Sequence, residues 1–358
     1  MTADINKKAS LPPLRSRFGA RRATCSYSRF GIAVTVYLVV ANLLAVFMST
    51  EPAFLILKSI FGLETAHGIF DSAYYIWIVQ VVCMYLVGYP VFRLVLIGVP
   101  SQPEHGSSMS LAEFITAFLI CMAGVQVGAY IGNIVTTVIS LVTGYVPVDT
   151  SSILIANSPL WVVILVVVVI GPIFEELIFR RVFIDKLSRF GEKLAIVVSA
   201  VAFGLFHGNL NQFFFATLIG FVLGYVYTKT RRVRYTCLLH MLINFIGSAF
   251  VLFLSDSLSK IDEFLYLERE LTDAEALALM TSLLSVYGYV LLQWALAIIG
   301  IVMFIIVLKN KKVVFTPKNK FALRPLDVPR VAIFNLGSLV FIAFSALVIF
   351  LSVYPIGY

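Results

Sequence analysis

Apolar stretches long enough to cross a lipid bilayer recur along almost the whole chain, and this constrains the fold more than any other feature. A span needs about 20 mostly apolar residues, because a helix rises about 1.5 Å per residue through roughly 30 Å of hydrocarbon. Eight or nine segments qualify, near 30–49, 73–97, 111–143, 159–185, 193–207, 210–228, 235–254, 281–308 and 331–353. The third is long enough to tilt, and the fifth is short. Composition agrees: 60% of the 358 residues are hydrophobic and only 13% charged, whereas a soluble domain carries roughly a quarter charged. A soluble globular protein, a disordered chain and a nucleic-acid-binding domain are excluded. The fold class expected is an all-α, polytopic transmembrane helix bundle of about nine spans.

The formal net charge of +8 reads as a topology signal rather than as an acidic partner. With the N-terminus in the cytoplasm, the cytoplasmic segments hold 22 of the 27 Lys and Arg residues, as the positive-inside bias requires. The loop after the seventh span is instead acidic, with Asp256, Asp262, Glu263, Glu268, Glu270, Asp273 and Glu275. The organisation expected is a basic cytoplasmic arm (1–29), N-terminal transmembrane helices (30–150), a helix core carrying the chemistry (151–255), an acidic external loop (256–280) and C-terminal transmembrane helices (281–358). There is no internal repeat. Cys25, Cys83, Cys121 and Cys237 form no CxxC, so neither a disulfide framework nor a zinc knuckle is implied. Gly124, Gly128 and Gly132, and Gly220 and Gly224, form small-residue helix-packing faces. The stretch 53–61 reads as an interfacial turn, and the basic segment 309–330 as a topology-setting loop facing lipid.

Polar groups inside the spans point to a site, because a charged side chain at mid-bilayer costs about 2.5–3.5 kcal/mol on insertion scales. The fourth span contains Glu175, Glu176, Arg180 and Arg181, the fifth ends in Phe203 and His207, and the seventh contains His240 and Asn244. The other two histidines, His67 and His105, fall in expected loops. Counting from the nearest cytoplasmic charge places Glu175, His207, His240 and Asn244 at depths of roughly 16, 21, 9 and 15 Å. Three helices thus bring polar groups to a similar level, which lipid would not tolerate and a shared polar cavity would. Glu176 and Arg180 are four apart and can pair, leaving Glu175 on an adjacent face. Gly208-Asn209 interrupts the fifth helix within the membrane.

A glutamate and a histidine around a desolvated water make a general base. A second histidine and an asparagine can donate to a developing oxyanion. No intramembrane serine sits in a GxSxG setting, and Cys237 lacks a partner triad. The set therefore suggests attack by activated water on a peptide carbonyl. The candidate catalytic residues are Glu175, Glu176, His207, His240 and Asn244, with Arg180 and Phe203 in support. Glu175, His207 and His240 could alternatively hold a zinc ion with an open position. The HExxH signature is absent, and the residues alone leave a divalent metal, or none, open.

Glu175-Glu176-x-x-x-Arg180, Phe203-x-x-x-His207 and His240-x-x-x-Asn244 together resemble the EExxxR, FxxxH and HxxxN pattern of the CAAX prenyl protease type II and bacteriocin-processing family of intramembrane proteases. The resemblance covers about residues 155–255. It implies endopeptidase activity within the membrane, opening toward the cytoplasm, on a peptide or membrane-anchored protein. In the family the first glutamate and the FxxxH histidine activate water, here Glu175 and His207. The HxxxN pair, here His240 and Asn244, stabilises the oxyanion, with Glu176 and Arg180 in support. The family is described both as metal-dependent and as glutamate-dependent. Its eukaryotic members trim prenylated termini, whereas bacterial members relate in part to bacteriocin maturation or self-immunity. The compact, loop-poor chain with its basic arm fits a bacterial cell membrane, which makes a prenylated substrate the less expected one. The competing reading is a non-catalytic membrane protein, a transporter or an immunity or scaffold factor that keeps the polar cavity. The absence of two halves with matching broken helices speaks against a transporter.

Overall fold

A computed structural model of the chain describes residues 14–353 except 73, 102–105, 146, 148, 267–269 and 316–321. Lys7, Lys8, His105, Glu268 and Arg269 lie outside the described residues. In chain order the helices are α1 (Leu14–Met48), α2 (Glu51–Phe61), α3 (Leu63–Phe70), α4 (Tyr75–Val95), α5 (Leu111–Thr143), α6 (Thr150–Ala156), α7 (Leu160–Phe190), α8 (Glu192–Phe206), α9 (Leu210–Thr230), α10 (Val233–Leu252), α11 (Ser255–Leu265), α12 (Asp273–Lys309) and α13 (Leu336–Val353). No strand occurs among the described residues. All-helical structure is what hydrocarbon demands, since each backbone N–H and C=O must find its partner within its own segment.

Among the described residues, eight helices are long and apolar enough to cross a membrane: α1, α4, α5, α7, α9, α10, α12 and α13. The chain is an integral, multi-pass membrane protein. The expected fifth span is the one that falls short of that length. It is α8, only 15 residues long, about 22 Å, and it ends in a turn that sends the chain back as α9. α1 begins at Leu14, so the basic stretch Arg15 to Arg29 continues into the first span as one helix. Arg29 clamps α1 to the end of α4, donating from Nη2 to the Val95 and Ile97 carbonyls at 2.6 Å each. His67 lies on α3 rather than in a loop. Residues 53–61 fall in α2, where Leu55, Ile56, Ile60 and Phe61 stay exposed, as an interfacial helix would have them.

α8 and α9 form a tight antiparallel hairpin. Gly220 faces Ala200, Gly224 faces Ile196 and Gly204 faces Thr217. At its open end Lys229 reaches Glu192 at 3.6 Å. α9 also lies against α5, where Gly124 meets Leu218 and Ile219, Gly128 meets Phe215 and Gly132 meets Asn211. Both small-residue faces singled out in the sequence therefore pack within the chain, bringing backbones close enough for dispersion to act where lipid offers no hydrophobic drive.

Two polar clusters brace the frame. Near the ends of α7 and α9, Asp185 of α7 accepts from the Tyr227 hydroxyl at 2.9 Å and from Arg231 at 3.3 Å, with Arg181 at 3.6 Å. In the lower-burial helix α12, Gln293 accepts from Gln126 of α5 at 2.7 Å and donates to the Tyr289 hydroxyl, which donates to the Ile246 carbonyl of α10 at 2.6 Å. This chain ties α12 to the helix that carries His240.

Two outcomes check this frame. A Cβ on Gly128 would overlap the Phe215 backbone, so Gly128→Val should lower stability by about 1–3 kcal/mol, read as a fall in the thermal midpoint of the purified protein. With Cys25 replaced by Ser, a cysteine at Asp262 should react with an impermeant maleimide on intact cells, and a cysteine at Lys312 only after permeabilisation.

Candidate active site

The site is built on α7, α8 and α10. α7 departs from regular α geometry in two places, with wide i→i−5 turns over Ile164–Ile170 and Leu177–Ile184 that flank the α-helical stretch Gly171–Glu176. Such widened turns are rare and are frequent at functional sites. Gly171 N–H reaches back five residues to the Val166 carbonyl. The next residue, Pro172, has no N–H, so in that register the Val167 carbonyl lacks a helical donor. Asn244 of α10 fills the gap, donating from Nδ2 to Val167 O at 2.9 Å. One of the two amide hydrogens of Asn244 is thereby engaged in joining α10 to α7.

Glu176 and Arg180 are fully buried, at 0% exposure each, with Arg180 Nε 3.1 Å from Glu176 Oε2. Charge rather than a directed hydrogen bond holds the pair: among the described residues Arg180 Nε and Glu176 Oε2 have no in-line hydrogen-bond partner. The guanidinium also lies over the Phe203 ring, 4.8 Å from its centroid, and Nη1 donates to Ser199 Oγ at 3.5 Å. A cation over an aromatic face gains a further electrostatic attraction. Thr236, fully buried one turn before His240, sits beside Glu176.

His240 stands between the two glutamates. Its Nδ1 lies 3.1 Å from Glu176 Oε1, and its Nε2 lies 3.7 Å from Glu175 Oε2. A carboxylate only accepts, so Nδ1 carries a proton. Glu175 is 18% exposed, against 0% for Glu176, so of two adjacent carboxylates one is sealed and the other faces outward. Four-residue pairing with Arg180 turns Glu176 into the protein, and the 100° step between neighbours leaves Glu175 on the next face.

His207 caps α8. Its Nδ1 lies 2.8 Å from the Phe203 carbonyl, which can only accept, so Nδ1 carries a proton, and in the neutral ring Nε2 keeps its lone pair. The chain then reverses at Gly208, with φ +60, a conformation that costs a residue with a Cβ; a Cβ there would also meet Val348 of α13 at 2.7 Å. Asn209 caps α9 through its side-chain oxygen and donates from Nδ2 to Asp149 Oδ1 at 2.8 Å.

Phe203 holds the two histidines to one another. Its ring is fully buried and meets His207 edge-on at 4.9 Å and His240 edge-on at 5.6 Å. The structure thus gathers Glu175, Glu176, Arg180, Phe203 and His240 in direct contact. His207 joins them through Phe203, and Asn244 through α7's backbone. Among the described residues no hydrogen bond or ion pair links His207 to Glu175.

Sequence reading missed Tyr37 of α1 and Tyr85 of α4, both buried and within electrostatic reach of Glu175. Their helices carry no intramembrane charge, so an apolar pattern hides them. For a metal ion, the donor set as placed does not fit: among the described residues no group of three or more His, Cys, Asp and Glu is placed to hold one.

Comparison with known proteins now bears on this geometry. Residues 156–246 match the family model described as type II CAAX prenyl endopeptidase Rce1-like. A Bacillus subtilis (strain 168) protein named "Putative membrane peptidase YdiL" is 30% identical over 97 residues, 27% of this chain and 40% of that protein. This chain therefore spans two-fifths of that relative's length. No solved structure matches. The resemblance to the CAAX prenyl protease type II and bacteriocin-processing family holds over the segment that carries all three motifs.

The buried ion pair yields a stability prediction. Glu176→Ala leaves Arg180 charged and unpaired and should cost about 3–5 kcal/mol. Glu176→Ala with Arg180→Met should recover part of the lost thermal midpoint; equal midpoints for the single and double variants would contradict the pairing.

Proposed function

We propose that this multi-pass membrane protein, with its Rce1-like segment, is an intramembrane endopeptidase that hydrolyses a peptide or membrane-anchored protein by a water activated at Glu175 and His207. The observation that carries this reading is His240 held between a sealed Glu176 and an outward-facing Glu175, against the same Phe203 ring that orients His207. The name of the Bacillus subtilis relative supports a peptidase, and its source supports a bacterial cell membrane.

The reaction follows from the protonation pattern. Glu175 takes a proton from water while the water oxygen forms a bond to the substrate carbonyl carbon. The carbonyl electron pair moves onto oxygen, and the remaining N–H of Asn244 donates to it. His207 Nε2, unprotonated, orients the water from the other side. Collapse breaks the C–N bond, the proton held by Glu175 passes to the leaving amine, and the products are a carboxylate and an amine. Arg180 and Glu176 take no proton; they hold His240 in the tautomer that presents Nε2 to Glu175. The chemistry needs no metal ligand set, and a glutamate-dependent mechanism is the one these donors suit.

The test uses the purified full chain in lipid nanodiscs with a mixture-based library of internally quenched peptides, cleavage read by fluorescence and product masses. Glu175→Gln and His207→Ala should each lower turnover by at least about 100-fold without shifting the thermal midpoint, and a chelator should leave the wild type unchanged. Wild-type turnover retained in both variants overturns the assignment. Loss on chelation, restored by one added metal, overturns the metal-free mechanism.

A further inference from the structure

Beyond the three motifs, the space in front of Glu175 is bounded by a helix that lies outside the matched segment. Tyr85 of α4 stacks on Phe174, the residue before Glu175, with ring centroids 4.7 Å apart and planes 21° apart. Tyr89, one turn on, meets Phe174 edge-on at 5.2 Å. Phe174 is thus held between two tyrosines, and Tyr85 has a defined direction. Its hydroxyl points at Gly171: Tyr85 Oη lies 3.2 Å from the place a Cβ would occupy there, and Glu175 Oε1 lies 3.9 Å from that same place. The two oxygens border one gap, one helical turn before Glu175, without a hydrogen bond to each other among the described residues. A small polar group set against Gly171 lies within reach of both oxygens.

The Tyr85 hydroxyl is otherwise idle. The residue is only 8% exposed, and among the described residues its O–H has no hydrogen-bond partner. An accessible O–H with no protein partner, at the edge of a gap beside a carboxylate, is free to take a role. The accounting of donors suggests which. His240 gives Nδ1–H to Glu176 and turns Nε2 to Glu175, and Asn244 gives one N–H to the Val167 carbonyl. The HxxxN pair is therefore largely engaged in holding the helices, while an oxyanion formed beside Glu175 needs a donor on the open side. A phenol is neutral, donates strongly and adds no charge to repel or pair with the two carboxylates.

We propose that Tyr85 is a further catalytic residue, its O–H donating to the oxyanion of a peptide bond bound in the gap between Tyr85 and Glu175. The inference rests on the endopeptidase reading above. It assigns to α4, and so to the N-terminal helices, a direct part in the chemistry.

Tyr85→Phe keeps the ring and its stack on Phe174 and removes only the hydroxyl. With the best-cleaved library peptide, kcat should fall about 100-fold, with KM and thermal midpoint unchanged. A phosphonamidate version of that peptide, a stable tetrahedral mimic, should bind Tyr85→Phe weaker by a similar factor, whereas the parent peptide's KM stays the same. Tyr27→Phe, which removes a buried hydroxyl on α1 from a ring packed against Phe190 at the end of α7, serves as the control and should keep the wild-type kcat. Unchanged kcat and unchanged phosphonamidate affinity in Tyr85→Phe overturn the inference while leaving the endopeptidase reading in place. A fall in kcat that comes with a lowered thermal midpoint, and with equal weakening of peptide and mimic, marks a packing role and also overturns it. Absence of cleavage by the wild type removes the endopeptidase reading and this inference together.

Discussion

A charge placed where no water can reach it must be answered by another charge, and in this chain that requirement is met by Arg180 and Glu176, 3.1 Å apart and sealed from solvent. The rest of the site follows from the pair. With Arg180 beside it, Glu176 accepts from His240, which sets the tautomer and the plane of that ring. The ring then presents its second nitrogen to Glu175. The guanidinium lies on Phe203, and Phe203 carries both histidines on its edges. Pairs of this kind contribute little net stability over well-packed apolar groups, yet breaking one is costly. Their value here is geometric, since one buried cation orders an acid, an imidazole and an aromatic ring from three helices.

Backbone irregularities place these groups as much as the helices do. The wide turns on either side of Gly171–Glu176 and the missing N–H of Pro172 leave a carbonyl that Asn244 completes. The reversal at Gly208 stops α8 directly after Phe206, so His207 sits at a helix end, where its ring can fold back onto its own Phe203 carbonyl. A continuous helix would have carried His207 onward in register and left its Nδ1 without that acceptor. Small residues along α8, α9 and α5 then let the hairpin approach closely enough for these positions to be held.

The helices outside the matched segment are more than a casing. α4 supplies the tyrosines that grip Phe174, α1 supplies Tyr37, and α12 reaches α10 through Gln293 and Tyr289. Each contact ends within a residue or two of a group in the site. Changes in these helices can therefore be felt at Glu175 or His240 without altering a motif residue.

Much of this was legible in the residues alone. Span length, the all-helical class and the three polar motifs follow from one-dimensional rules: hydrocarbon thickness sets the length of an apolar run, and a four-residue spacing puts Glu176 with Arg180. The short fifth segment was visible too, but only packing shows that its 15 residues form one limb of a close hairpin with α9. The tertiary structure alone decides which of two adjacent glutamates is sealed, that Asn244 mends a proline-broken helix, that His207 reaches the cluster through Phe203 and that Tyr85 faces Glu175. The reason is physical: within one helix, periodicity relates residues a few positions apart, whereas a contact such as that between α4 and α7 depends on how two apolar surfaces interlock. In an apolar background a tyrosine's sequence context is the same whether its hydroxyl meets lipid or a carboxylate.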